Sequence, residues 1–181
     1  MNVEALPIEG MFNVWGQPFT DNRGTFRRHF CEDTLMTKGI NFKVKQGNIS
    51  ENPYAGTLRG FHYQVAPFQE QKILTVLSGE LWNVTVDLRK DSSTYLQHIA
   101  VKIVPNERKS LLIPAGTANA FLTLEDNTLV HYYMSENFVP DSYRGFHYND
   151  PHLAIVWPSD IKHISERDEA LPSLKSLGFI A

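Results

Sequence analysis

Apolar and polar residues along this chain alternate with a period of two far more often than they recur every third or fourth position. The segments FKVKQGN (42–48), KILTVLSGELWNVTVDL (72–88), LQHIAVKIVP (96–105), SLLIP (110–114) and TLVHYYM (128–134) are short and rich in β-branched and aromatic residues. That spacing puts successive side chains on opposite faces of a strand. Turn-forming clusters separate them at SG (78–79), RKDSS (89–93), PNER (105–108), PAG (114–116) and EDN (125–127). Many short strands with regular turns predict an antiparallel sandwich or barrel. Helical pattern is scarce: EDTLMTKG (32–39) reads as one short helix closed by Gly39, with a further turn or two in the last twenty residues. No repeat, low-complexity run or Gly/Ser/Pro-rich linker divides residues 1–181, so one domain is expected. After Pro158 the chain turns more polar, and composition alone reads that stretch as a frayed tail.

Composition narrows the function by exclusion. The 181 residues and 20.7 kDa suit one domain of roughly 100–200 residues. Seventeen Lys and Arg against twenty Asp and Glu give a net charge of −3 and a pI near 6.1, which argues against nucleic acid and anionic membranes as partners. An anionic ligand would have to be held by a few placed basic residues. Cys31 is the single cysteine, so an intramolecular disulfide and a cysteine-built zinc site are both impossible. A reducing compartment fits that. With neither a basic-then-apolar leader nor a run of about 18 apolar residues, the expected location is the cytoplasm.

The densest candidate chemistry is TLRGFHYQ (57–64). On a regular strand Arg59, Phe61 and Tyr63 share one face, and His62 and Gln64 share the other. The region resembles metal-binding cupin barrels, in which an HxH pair, a glutamate and a later histidine converge. Here Gln64 takes the place of the second histidine, and PAGTAN (114–119) ends in Asn119. That leaves His62 with at best Glu70, too few strong ligands for zinc or iron, so no metal is expected. His62, Lys72 and Tyr132 instead supply what proton removal beside a carbonyl requires: a base of near-neutral pKa, a cation for the enolate and an acid.

At RGFHYQ the chain is similar to the dTDP-4-dehydrorhamnose 3,5-epimerase family. The similarity runs through eight blocks in order: FTDNRGTF (19–26), QGNIS (46–50), LRGFHYQ (58–64), QKILTVLSGELWNVTVDLR (71–89), IPAGTANAF (113–121), HYYMSENFVPD (131–141), HYNDPHLAIVWP (147–158) and ISERD (164–168). The resemblance implies an all-β, cupin-like antiparallel barrel or jelly roll with a few short helices, acting as a homodimer that shares residues across its interface and needs no cofactor. It implies His62 as base, Asp168 as its carboxylate partner, Tyr132 as acid on the opposite face of the sugar and Lys72 at the enolate oxygen. The polar tail should then fold back beneath the site. It further implies a nucleotide-diphosphate sugar as ligand. Its phosphates would meet Arg59, Arg167 and, across the dimer, Arg23; Gln46, Asn48 and Ser50 would bind sugar or diphosphate, and Phe26 and Phe138 would stack.

Four positions depart from the family pattern. Asn119 replaces a usual histidine, keeping a hydrogen-bond donor but no charge; Phe138 replaces a tyrosine; Arg28 replaces a glutamate; Asn83 replaces an aspartate. These cluster at nucleotide and sugar positions, and the reversed charge at Arg28 raises GDP- or CDP-linked hexoses or heptoses as alternatives to a dTDP sugar. Two rival readings share the same residues: a nucleotide-sugar 3,4-ketoisomerase, and a sugar-nucleotide-binding barrel without catalysis. A metal-dependent cupin oxygenase is a weaker third.

Overall fold

The computed structural model describes residues 1–180. The chain runs through β1 (Asn2–Ala5), β2 (Phe12–Trp15), a hairpin of β3 (Pro18–Asp21) and β4 (Gly24–Arg27), and α1 (Glu32–Met36). The strands of the body follow: β5 (Gln46–Asn52), β6 (Leu58–Gln64), β7 (Lys72–Ser78), β8 (Leu81–Asp87), β9 (His98–Ile103), β10 (Ser110–Ile113), β11 (Thr117–Thr123), β12 (Thr128–Met134) and β13 (Tyr143–Gly145). A last helical turn, α2, spans Glu166–Glu169. One sheet has the order β1-β2-β10-β7-β12-β5, and the other β13-β6-β11-β8-β9. Every pairing between strands of these sheets is antiparallel. This is the expected cupin-like sandwich. The Ser78–Gly79 turn carries the chain from one sheet to the other.

Three apolar clusters hold these layers. Between the sheets, Leu74, Val76, Leu111 and Val130 from one meet Leu81, Ile103 and Phe121 from the other. Outside the first sheet, Leu35 of α1 with Ile40 and Phe42 covers Val14, Ile73 and Leu112. Outside the second, Phe146, Leu153 and Leu174 cover Phe61, Val84, Val86 and Ala120. Strands covered on both sides lose the in-out alternation of a half-solvated sheet, which is why β11 is buried along its whole length.

The stretch after Pro158 is therefore no frayed tail. Its Leu174, Leu177, Phe179 and Ile180 pack on the second sheet; the Leu174 amide donates to Asp150 Oδ2 at 2.7 Å and the Tyr95 hydroxyl to the Phe179 carbonyl at 3.0 Å. Leu174 is fully buried, worth about 1.5–3 kcal/mol, the other three are partly buried, and the polar residues between them hide this from composition. The sequence also anticipates a strand from residue 42, whereas β5 starts at Gln46: Phe42 is drawn into the cluster under α1 instead. Among the described residues no helix is long and apolar enough to cross a membrane.

Candidate active site

A cavity of about 320 Å³ opens between the two sheets, at the end the apolar core leaves unfilled. One wall carries Gln46 and Asn48 of β5, Lys72 and Leu74 of β7, and Tyr132 and Met134 of β12. The other carries Arg59, His62 and Gln64 of β6, Asn119 and Phe121 of β11, and Tyr143 of β13. Asp168 closes the floor from α2.

His62 Nε2 lies 2.7 Å from Asp168 Oδ1, joining residues 106 positions apart in the chain. Asp168 Oδ2 accepts the Gly60 amide at 3.2 Å, and the Asp168 amide donates to the Ser165 hydroxyl at 3.1 Å, which caps α2. Burial opposes ionisation of Asp168, but the hydrogen bond and charge of His62, with the Gly60 amide and Arg167, hold its carboxyl below the usual value. An ionised Asp168 can only accept, so the proton on this side of the ring sits on Nε2 and leaves Nδ1 as the basic nitrogen.

The strand carrying His62 is not regular, and this corrects the alternation read from sequence. Asn119 pairs with His62 and Phe121 with Arg59, so three steps along β6 oppose two along β11. The extra residue is a β-bulge. Gly60 carries it at φ +115°, where an added Cβ would lie 2.6 Å from the Asn119 carbonyl and 2.7 Å from Ala120 Cα. Arg59 is thereby turned onto the same wall as His62 rather than away from it.

Tyr132 faces His62 from the opposite sheet, and burial pushes its phenol above the ordinary tyrosine value, with Arg59 partly offsetting the effect. Lys72 Nζ pairs with Glu70 Oε1 at 3.0 Å. Tyr143, which the sequence reading passed over, packs on His62 with ring centroids 5.1 Å apart and meets Phe138 edge-on at the same distance. Arg167 lies over its ring, 4.7 Å from the centroid. Burial, reinforced by the Asp168 charge, drives the Tyr143 phenol far upward and keeps it protonated. Tyr143 therefore returns to the cavity a phenol that Phe138 lacks; the only sequence signal was an aromatic shortly after that position.

Of the other expected contacts, Gln46, Asn48, Arg59, Asn119 and Phe138 do line the cavity. Gln46 Oε1 accepts the Phe138 amide at 3.1 Å, and Arg59 Nε donates to Asn52 Oδ1 at 2.9 Å. Ser50 does not line it: its hydroxyl donates to Asn52 Oδ1 at 3.2 Å, supporting Arg59 from behind. Arg167 reaches the cavity only through Tyr143. Arg23, Phe26 and Arg28 lie away from the cavity of their own chain. Arg23 pairs with Asp21 at 2.6 Å on the exposed hairpin, and Arg28 Nη1 approaches Cys31 Sγ at 3.8 Å.

Two amides stand where cupin ligands would be, and both are committed elsewhere. Gln64 donates to the carbonyls of Phe68 and Asn137 and accepts the Val139 amide at 2.6 Å, pinning the loop that bears Phe138. Asn119 Nδ2 donates to Asn83 Oδ1. The donor expected of Asn119 is therefore turned into the wall. These residues do not fit a metal, and the described residues hold no cluster of three His, Cys, Asp or Glu able to ligate one.

The model of a family described as dTDP-4-dehydrorhamnose 3,5-epimerase matches residues 5–176. An enzyme of that name from Methanothermobacter thermautotrophicus is 34% identical over 164 residues, covering 89% of this chain and 88% of the relative. A crystal structure of the Bacillus anthracis dTDP-4-dehydrorhamnose 3,5-epimerase with TDP and PPi bound superposes with a TM-score of 0.92 at 34% identity, covering 96% of this chain and 99% of that one. A 3′-monoepimerase from Streptomyces bikiniensis, in complex with dTDP-quinovose, superposes with a TM-score of 0.87 at 30% identity, covering 97% and 90%.

Proposed function

The chain belongs to the dTDP-4-dehydrorhamnose 3,5-epimerase family, and from that premise we propose that this isomerase inverts one or both carbons flanking the C4 ketone of a dTDP-linked 4-keto-6-deoxy sugar, without a cofactor. The observation that carries the proposal is the position of His62 and Tyr132 on opposite sheets, facing one cavity. Inversion requires a proton to leave one face of the sugar ring and another to arrive on the opposite face.

His62 Nδ1 takes the proton α to the ketone, and the ionised Asp168 stabilises the imidazolium that forms. The electron pair moves to the ketone oxygen as an enolate, which Lys72 steadies while Glu70 keeps that cation in place. Tyr132, kept protonated by its burial, returns a proton from the other side. Arg59 meets the diphosphate, Arg167 adds its charge from behind the Tyr143 ring, Arg23 of a second copy joins them in a homodimer, and Phe138 and Phe26 of that copy stack on the base and sugar. Support for the dimer comes from the hairpin, whose Phe19 and Phe26 are 70% and 74% exposed. In this reading residues 1–181 act as one cytoplasmic domain in polysaccharide-sugar synthesis.

Incubation with a dTDP-4-keto-6-deoxy sugar in deuterated water tests the reading. One deuterium should enter at each inverted carbon, and NMR should show the ketone still at C4. A ketone moved to C3 would instead make the protein a ketoisomerase, and binding without any exchange would make it a silent barrel. The relatives favour thymidine, and Arg28 lies off the cavity, so titration should give tighter binding of dTDP than of GDP. A preference for GDP would overturn that choice of base.

A further inference from the structure

A second polar group on the cavity wall takes no part in the proton transfers above. Asn119 is the β11 neighbour of His62 and is 7% exposed. Its amide nitrogen donates to Asn83 Oδ1 and lies 3.3 Å from the Ala120 carbonyl. Asn83, fully buried, donates in turn to Thr85 Oγ1 at 3.1 Å. A carbonyl can only accept, so Ala120 fixes which end of the Asn119 side chain is nitrogen. Among the described residues Asn119 Oδ1 then meets no donor. Nor is it sealed away: among the described residues the buried side-chain atoms without a partner are His29 Nε2, Gln71 Oε1 and Trp82 Nε1. The oxygen opens onto the cavity.

Resting on the epimerase reading, we infer that Asn119 Oδ1 is a neutral acceptor for a hydroxyl of the sugar ring close to the carbon that His62 deprotonates, and that it makes the enzyme selective for sugars bearing that hydroxyl. The chemistry decides what this spot takes. A phosphate oxygen is itself an acceptor and would be repelled, whereas a hydroxyl gains a partner held in direction by the Asn83–Thr85 chain behind it. No member of that chain titrates near neutrality, so selectivity should not vary with pH.

Substrate and protein can both be altered. Wild-type enzyme should process the 2-deoxy or the 3-deoxy form of its 4-keto sugar with a kcat/KM lower by roughly tenfold to a hundredfold, the usual cost of leaving one positioned polar group unpaired. Asn119→Leu should lose that discrimination. Equal turnover of all three sugars by the wild type, or undiminished discrimination in Asn119→Leu, would overturn the assignment. Calorimetry with unreactive dTDP-glucose and its 2- and 3-deoxy forms reads the same contact without turnover. Weaker binding of one deoxy form supports the assignment and equal binding of all three overturns it, even if missing deuterium exchange has disproved the epimerase reading.

Discussion

At the scale of single residues, the two sides of the reaction separate cleanly. His62→Asn should lower both exchange and inversion by about 10²–10⁴-fold. Tyr132→Phe should lower inversion by a similar factor, yet leave deuterium entering the substrate with its configuration retained, because the base still works from its own face. NMR of the recovered substrate distinguishes the two. Burial raises the Tyr132 phenol, so loss of the acid form should not limit the wild-type rate below about pH 10. That His62, Lys72 and Tyr132 would share one cavity was legible because their types match a base, a cation and an acid, and that Asp168 would join them because the family pattern reaches ISERD. Tyr143 was not legible: its place depends on a three-residue strand pairing with β6, which no local periodicity encodes.

At the scale of elements, the bulge in β6 leaves no room at its buried glycine. Gly60→Ala would force a methyl group against the Asn119 carbonyl at an unfavourable φ. It should cost about 2–4 kcal/mol in urea unfolding and turn Arg59 away from the cavity, raising KM. A second element depends on one carboxylate. Asp87, fully buried at the end of β8, accepts from Arg89, Ser92 and Thr94 and so braces the turn after that strand. Burial opposes its ionisation, but these hydrogen bonds hold its pKa well below the ordinary carboxylate value. With the folded pKa lowered, its stabilisation is complete above the unfolded value of about 4 and is lost as pH falls toward the folded one. Asp87→Asn should therefore lower Tm at neutral pH and flatten its decline as pH falls below about 4. Period-two patterning revealed the long strands β7, β8 and β12. It missed β1 to β4, four residues each without an apolar run, and β11, which is buried on both faces and so shows no alternation, and it misdirected Arg59 because a bulge breaks the alternation on which it relies.

At the scale of the whole molecule, the hairpin β3–β4 pairs, among the described residues, only with itself and carries Arg23, whose side chain is 85% exposed. If a second copy receives it, inactive variants should rescue each other. Arg23→Ala mixed with His62→Asn forms hybrid dimers in which one of the two sites has both residues intact, so activity should rise above that of either variant alone. No gain after subunit exchange, checked by mass spectrometry, would put each site within one chain. The join between His62 and Asp168 also bears on how the protein comes into being. Translation adds roughly 5–20 residues per second, so the 106 residues between them set a delay of roughly 5–20 s between making the base and making its partner. A chain cut short before Asp168 would hold the β6 strand without this contact, so whatever His62 does through Asp168 must wait out that delay.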